Sequence, residues 1–191
     1  SLMNLQLPSG SRVQFQRGVP IDVSRNTLVR SAQEHKAAYI FFLDADVLAP
    51  PDIVLRLMAW KVPIVSGVYW SKKGYPAVWE PHPSGLGFTP MKHLPQRGLI
   101  EVAGISMGCS LVDMRVFSCI PDPWFEWGLR DPRKEGEGEG HSEDLAFCQK
   151  ASEYGFKLYV DPELRCLHES VVPVDVEGEM KYTPAQRESG T

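Results

Sequence analysis

The sequence has no apolar run that approaches the roughly 20 residues needed to cross a membrane, so we expect no membrane-spanning segment. Basic residues are also outnumbered: 20 lysines and arginines against 24 aspartates and glutamates give a net charge of -4. A protein that binds nucleic acid needs a basic surface to neutralise phosphates. The charge balance therefore argues against a nucleic-acid partner.

Cysteine is sparse as well. The four cysteines are Cys109, Cys119, Cys148 and Cys166. They are widely spaced and include no Cys-x-x-Cys pair of the kind found in zinc and redox motifs. We therefore expect four reduced thiols in a cytoplasmic protein.

The remaining composition is that of an ordinary globular protein, with 43% hydrophobic and 23% charged residues. A chain of 191 residues suits one domain better than two. We predict a single domain over residues 3–172. An acidic glycine-rich tract at 135–140 is expected to form a loop, and residues 173–191 a C-terminal tail.

Apolar runs that fit strands alternate with segments of helical periodicity. The predicted strands are residues 5–7, 13–15, 39–43, 64–69, one or two within 100–112, 157–160 and 164–167. The predicted helices are residues 24–35 with Ser24 as N-cap, 50–60 with prolines in the first turn, and 142–154 closed by Gly155. This alternation predicts an α/β fold, a Rossmann-like three-layer sandwich with a mixed, mostly parallel central sheet.

An acidic pair, Asp44 and Asp46, directly follows the apolar run at 39–43, which fits a strand buried on both faces. Open α/β sheets bind ligands beyond the carboxyl ends of their strands. Residues two apart in extended backbone point the same way, and two such carboxylates repel each other unless a cation lies between them. No lysine or arginine is near in sequence, which favours a divalent metal site. The alternative is that the pair only shapes the turn before the next helix.

A second acidic pair, Glu143 and Asp144, begins the helix at 142–154. Both could simply complement the helix dipole. However, Asp144 shares a stripe with Phe147, Cys148 and Ala151, which predicts that it points inward. An inward carboxylate at a helix start is a candidate general base. Glu143 is expected to face water.

His168 ends the last predicted strand. A lone histidine is more often structural than a ligand, but the acidic pair earlier in the chain needs further ligands. Imidazole as a ligand would favour manganese over magnesium.

Taken in order, several segments resemble the family-2 glycosyltransferases of GT-A fold. These segments are Asp22-Val-Ser-Arg-Asn26, Tyr39-Ile-Phe-Phe-Leu-Asp-Ala-Asp46, Pro50-Pro51-Asp52, residues 104–113, Ser142-Glu-Asp144 and residues 159–168. The resemblance covers about residues 20–170 and is closest to the short members of the family. It implies a GT-A fold, a nucleoside diphosphate sugar as donor, a carbohydrate or other hydroxyl compound as acceptor, and Mn²⁺ or Mg²⁺ as cofactor.

The same resemblance assigns roles to individual residues. It implies that Asp44, Asp46 and His168 are the metal ligands, and that Asp144 is the base of an inverting reaction. The implied donor-binding residues are Pro8, Ser9, Arg25, Asn26 and Ala45. On the acceptor side we place Glu143 together with Trp124 and Trp127, whose loop could stack on a sugar or be pinned to the core by its aromatic side chains.

Two alternatives to a glycosyltransferase remain at this stage. A nucleotidyltransferase could use the same metal site on a phosphate, although it would need a better phosphate-binding loop than Pro8-Ser9-Gly10. A non-catalytic nucleotide- or carbohydrate-binding protein is the other, because the segment before Asp44 is shorter than in typical members of the family.

Overall fold

The structure is a computed structural model, and it describes residues 4–71, 74–84, 87–128 and 142–169. The tract at 135–140 and the tail at 173–191 lie outside the described residues. The helices are α1 (Ile21–Glu34), α2 (Ile53–Ala59), α3 (Met114–Cys119) and α4 (Glu143–Glu153). The strands are β1 (Tyr39–Leu43), β2 (Val47–Leu48), β3 (Ile64–Val68), β4 (Val78–Pro81), β5 (Phe88–Pro90), β6 (Ile100–Val102), β7 (Gly104–Ile105), β8 (Cys109–Asp113), β9 (Leu158–Arg165) and β10 (Leu167–His168).

The fold is mixed α/β, built on a five-stranded sheet with the order β1-β8-β3-β9-β6. Among the described strand pairs of this sheet only β3 and β9 run parallel, and the other three pairs are antiparallel. The prediction of a mostly parallel sheet is therefore wrong. Apolar runs indicate that a strand is buried on both faces, but they do not indicate its direction. β8, for example, is buried at every residue although it runs antiparallel to both of its neighbours, β1 and β3.

Helices cover both faces of this sheet. Alternate residues of a strand point to opposite faces, and Ile64 and Val65 of β3 accordingly belong to different cores. Ile64 packs in the core that includes Val29 of α1 and Phe147 of α4. Val65 packs in the core that includes Leu57 of α2. The sheet thus forms the middle of three layers.

β1 occupies an edge of the sheet, since β8 is its partner in the order of the described strands. Of its five residues only Phe42 is buried, and the others are partly exposed. The prediction of a strand at 39–43 is confirmed, but the prediction that this strand is buried on both faces is wrong. Its aromatic residues suit a half-covered edge as well as a central position.

The segment before α1 contains no strand within residues 4–20, so the strands predicted at 5–7 and 13–15 are wrong. The apolar side chains of Val13 and Phe15 pack on no sheet and are exposed. α1 begins at Ile21 rather than at Ser24. The Ser24 amide donates to Pro20 O, so Ser24 lies inside the first turn and is not the N-cap.

The C-terminal elements agree better with the sequence. Ser142 is the N-cap of α4, with its hydroxyl accepting from the Leu145 amide, and Gly155 follows the helix with φ of +81°. The two strands predicted at 157–160 and 164–167 are instead one strand, β9, and the short β10. α2 is shorter than the helix predicted at 50–60: it spans Ile53–Ala59, so the two prolines precede the helix instead of lying in its first turn. No described helix is long and apolar enough to span a membrane.

Two smaller sheets complete the described fold. One has the order β5-β4-β7, and the other pairs β10 with β2. In the second, His168 lies opposite Val47 in antiparallel register. This pairing brings the end of β10 next to the turn that contains the first acidic pair.

Candidate functional site

The first acidic pair lies in the turn between β1 and β2. The Asp44 amide donates to Gly108 O at 3.0 Å, and Asp44 O accepts from the Val47 amide at 3.1 Å. The side chains are partly exposed, 33% for Asp44 and 41% for Asp46. Both carboxylates are therefore held at the carboxyl end of β1 with access to solvent.

Asp46 and His168 are brought together by the pairing of β2 with β10. His168 Nε2 lies 3.1 Å from Asp46 Oδ2, and His168 Nδ1 lies 2.8 Å from Trp70 O. A carbonyl oxygen can only accept, so Nδ1 carries a hydrogen and donates a hydrogen bond to Trp70 O. The ring is thereby fixed with Nε2 aimed at the Asp46 carboxylate.

Arg25 of α1 connects the two acidic pairs. Its side chain is 4% exposed, and Nη1 forms ion pairs with Asp144 and with Glu143, the latter at 2.5 Å. Nη2 lies 3.4 Å from Asp44. The expectation that no basic residue neutralises the first pair is therefore wrong, because Arg25 reaches it from another element. Glu143 is buried, not exposed as predicted, because its carboxylate turns inward to the same guanidinium.

Asp144 is buried, as its place on the apolar stripe of α4 predicted. Its Oδ2 accepts from Ser106 Oγ at 2.8 Å and from the Met107 amide at 3.1 Å. Tyr69 Oη donates to Ser106 Oγ at 2.6 Å, and burial raises the pKa of the Tyr69 phenol. A chain of hydrogen bonds thus runs from Tyr69 through Ser106 to Asp144.

The sequence analysis assigned no role in this site to Tyr69 or Ser106. Tyr69 directly follows β3, so its position at a strand end was a usable signal. Ser106 follows the two-residue strand β7, and its signal in the sequence was its place in the segment 104–113 that resembles the family.

Asn26 was predicted to bind the sugar donor and Trp124 the acceptor. In the structure both side chains form hydrogen bonds within the protein. Asn26 Oδ1 accepts from the amides of Trp124 and Phe125, and Asn26 Nδ2 donates to Phe125 O. Trp124 is 4% exposed, and its Nε1 donates to two carbonyl oxygens of the chain. Trp124 therefore offers no open ring face here, whereas Trp127 is 56% exposed.

The remaining residues that were predicted to bind the sugar donor lie on the surface. Ala45 is exposed between the two aspartates. Pro8 and Ser9 belong to a turn in which the Ser11 amide donates to Pro8 O at 3.2 Å. Nearby, the Gln6 amide donates to Pro51 O, which attaches this segment to the start of α2.

Within the described residues, no group of three or more His, Cys, Asp or Glu side chains is arranged to hold a metal ion. Of the three ligands that the resemblance implies, the fold brings Asp46 and His168 into contact, whereas the Asp44 carboxylate faces Arg25. The buried group of Arg25, Glu143 and Asp144 adjoins Asp44 through the Arg25 guanidinium.

Comparison with known proteins adds information on the fold. No family model matches the sequence, and no curated protein matches it. Among solved structures, the chain is similar to the crystal structure of A197 from STIV, with a TM-score of 0.58. The two share 17% sequence identity over 92% of this chain and 83% of that one. At this identity the likeness concerns the fold alone.

Proposed function

We propose that the protein is a GT-A glycosyltransferase that moves a sugar from a nucleoside diphosphate sugar to an acceptor hydroxyl, with inversion. The observation that carries the proposal is the 3.1 Å contact between Asp46 and His168 at the end of β1. Carboxylate and imidazole from distant parts of the chain meet where an α/β sheet is expected to bind its ligand.

The side chains present fit a divalent metal such as Mn²⁺. A carboxylate and an imidazole together suit manganese, and metals at phosphate sites commonly use few protein ligands and take the rest from phosphates and water. The Nδ1–H of His168 donates to Trp70 O, the arrangement by which proteins usually orient a metal-binding imidazole. Asp46 and His168 would hold the ion, and Asp44 in the same turn is the third ligand that the family resemblance implies. When bound, the metal would neutralise charge on the departing diphosphate.

Asp144 is the proposed general base. The acceptor oxygen would attack the anomeric carbon, the bond from that carbon to the diphosphate oxygen would break, and the acceptor proton would pass to Asp144. The Arg25 ion pair keeps a positive charge beside Asp144, and the Ser106 hydroxyl and Met107 amide fix its other oxygen. The carboxylate is therefore held in place before substrate arrives.

The site also supports a second hypothesis, that the protein binds its ligand without catalytic activity. Both Asp144 oxygens already accept hydrogen bonds from protein groups. Under this reading the carboxylate only binds Arg25 and stabilises the start of α4. Transfer or hydrolysis of a nucleotide sugar by the wild type, lost in Asp144→Asn, would exclude this second function.

The first test is a thermal-shift panel of nucleoside diphosphates and nucleotide sugars, with and without Mn²⁺. A ligand present at a hundred times its Kd stabilises the native state by about 2.7 kcal/mol, which gives a clear rise in Tm. We expect a rise that needs Mn²⁺ and disappears in Asp46→Asn. Glu101→Gln, an exposed carboxylate of β6 paired with Lys157, is the matched control. A panel with no Mn²⁺-dependent shift would contradict the proposal.

A further inference from the structure

Two buried cysteines face each other beside the candidate site. Cys109 Sγ lies 3.2 Å from Cys166 Sγ, and 57 positions separate the two residues. Cys109 is fully buried and begins β8, whereas Cys166 is 7% exposed and lies between β9 and β10. Two thiols from distant parts of the chain are thus already in contact.

The backbone holds both cysteines in this relation. Cys109 is paired with Leu43 in the β1–β8 ladder, and the Cys166 amide donates to Val68 O at 2.8 Å. A β-carbon at Gly67 would lie 3.4 Å from Cys166 Sγ and 2.9 Å from Leu164 O. The β-carbon would collide chiefly with Leu164 O, so Gly67 lets the segment that leads to Cys166 lie close against β3.

A disulfide bond requires the two sulfurs to approach to about 2.05 Å, so the present contact needs to shorten by only about 1 Å. The two side chains have to rotate toward each other to close this distance. The other cysteines contrast with this pair: Cys119 is exposed, and Cys148 is buried with its thiol bonded to Ile105 O.

We propose that Cys109 and Cys166 form a peroxide-sensitive site that closes to a disulfide. Cys166, the more accessible sulfur, attacks a hydroperoxide and becomes a sulfenic acid as water or an alcohol leaves. Cys109 sulfur then attacks the Cys166 sulfur and releases water. In total the two thiols lose two protons and two electrons, which the peroxide takes up as its oxygen–oxygen bond breaks.

The disulfide would join two segments that approach the candidate site. Cys109 follows Gly108, whose carbonyl accepts the Asp44 amide, and Cys166 precedes His168 by two positions. The inference does not depend on the proposed sugar transfer, since bond formation is measured directly on the protein.

The test uses Cys119→Ser protein, which removes the exposed thiol, treated in its native state with hydrogen peroxide. Remaining thiols are alkylated after unfolding, and peptides are mapped without reductant. We expect one linked peptide pair containing Cys109 and Cys166, restored to free thiols by dithiothreitol, with Cys148 alkylated throughout as the buried control. The oxidised protein should also show a higher Tm, because the bond restricts the unfolded chain.

A second variant separates the two chemical steps. In Cys109→Ser/Cys119→Ser protein no disulfide can form, so the sulfenic acid on Cys166 should persist and react with dimedone. The proposal is overturned if Cys109 and Cys166 remain fully alkylated after peroxide treatment, or if Cys166 is oxidised to the sulfinic acid while Cys109 stays free.

Discussion

His168 Nε2 lies 3.1 Å from Asp46 Oδ2 across a separation of 122 positions, and the antiparallel pairing of β10 with β2 creates this contact. The Trp70 carbonyl fixes the other nitrogen of the ring. The geometry is that of a histidine oriented by its neighbours rather than one left free in solvent.

The orientation of His168 leads to a prediction about metal binding. His168→Ala should weaken Mn²⁺ binding by more than about tenfold, since even the loss of a group that only orients a ligand commonly has that effect. Calorimetric titration of Mn²⁺ into the protein with a saturating nucleoside diphosphate measures the change. His82→Ala, an exposed histidine bonded to Ser84, is the control and should bind as the wild type does. Equal affinities for both variants would remove His168 from the metal site.

Arg25 should matter greatly for stability. Arg25→Ala leaves the buried carboxylates of Glu143 and Asp144 without their positive partner, so the free energy of unfolding should fall by about 3 kcal/mol or more. Urea denaturation measures the loss. Arg30→Ala on the same helix breaks an exposed ion pair with Asp122 and should change stability little.

The conservative variant Arg25→Lys refines this test. It keeps the charge but loses the planar group that reaches carboxylates on two sides, so it should recover only part of the stability. Adding Glu143→Gln to Arg25→Ala should also restore part of it, because one unpaired charge is removed. Equal stability of Arg25→Ala and Arg30→Ala would contradict the ion-pair assignment.

Gly108 should tolerate no side chain. A β-carbon there would lie 2.4 Å from Tyr69 Oη and 2.8 Å from Asp44 Oδ2. Gly108→Ala should therefore lower the free energy of unfolding by roughly 1–3 kcal/mol, as overpacking does. Tyr69→Phe removes the nearer atom, so the double variant should be more stable than the sum of the two single effects predicts. Strict additivity in urea denaturation would show that the clash is relieved elsewhere.

Asp113 should stabilise the start of α3. Its Oδ1 accepts from the Arg115 amide at 2.9 Å as the N-cap, and Asp113→Ala should cost about 1 kcal/mol at neutral pH. The Arg115 guanidinium lowers the pKa of the Asp113 carboxyl. This contribution is present above the unfolded-state pKa and is lost as pH falls through the lower, folded-state value.

Asp113→Asn isolates the charge, because the amide oxygen can still accept from the Arg115 amide. The variant should be less stable than wild type at neutral pH, and the gap should narrow in acid as the wild-type carboxylate is protonated. Urea denaturation at a series of pH values gives both curves. A gap that stays constant with pH would show that ionisation of Asp113 contributes nothing.

The sequence predicted local elements better than the sheet. Ser142 and Gly155 mark the ends of α4 because capping depends on residues close in the chain. The direction of β8 depends on which strands become its neighbours, and no local pattern carries that information. In the same way, the apolar residues at 5–7 and 13–15 suggested strands, but the described fold provides no neighbouring strand for them.

The candidate site shows the same division. Asp44, Asp46 and Asp144 were identified because their place after a strand or on a helix stripe can be read locally. Arg25 was assigned to donor binding, but its ion pairs with Asp44 in the β1–β2 turn and Asp144 of α4 depend on where α1 lies relative to both. The packing of distant elements also explains why the expected exposure of Glu143 was wrong.

The strand order of the main sheet constrains the sequence of events in folding. β6 joins this sheet through β9, which follows it by more than fifty residues in the chain. During synthesis β6 therefore leaves the ribosome well before its partner, and the antiparallel β1–β8–β3 unit can assemble first. We expect the β6 amides to gain protection from hydrogen exchange only when β9 inserts, the step that also delivers His168 to Asp46.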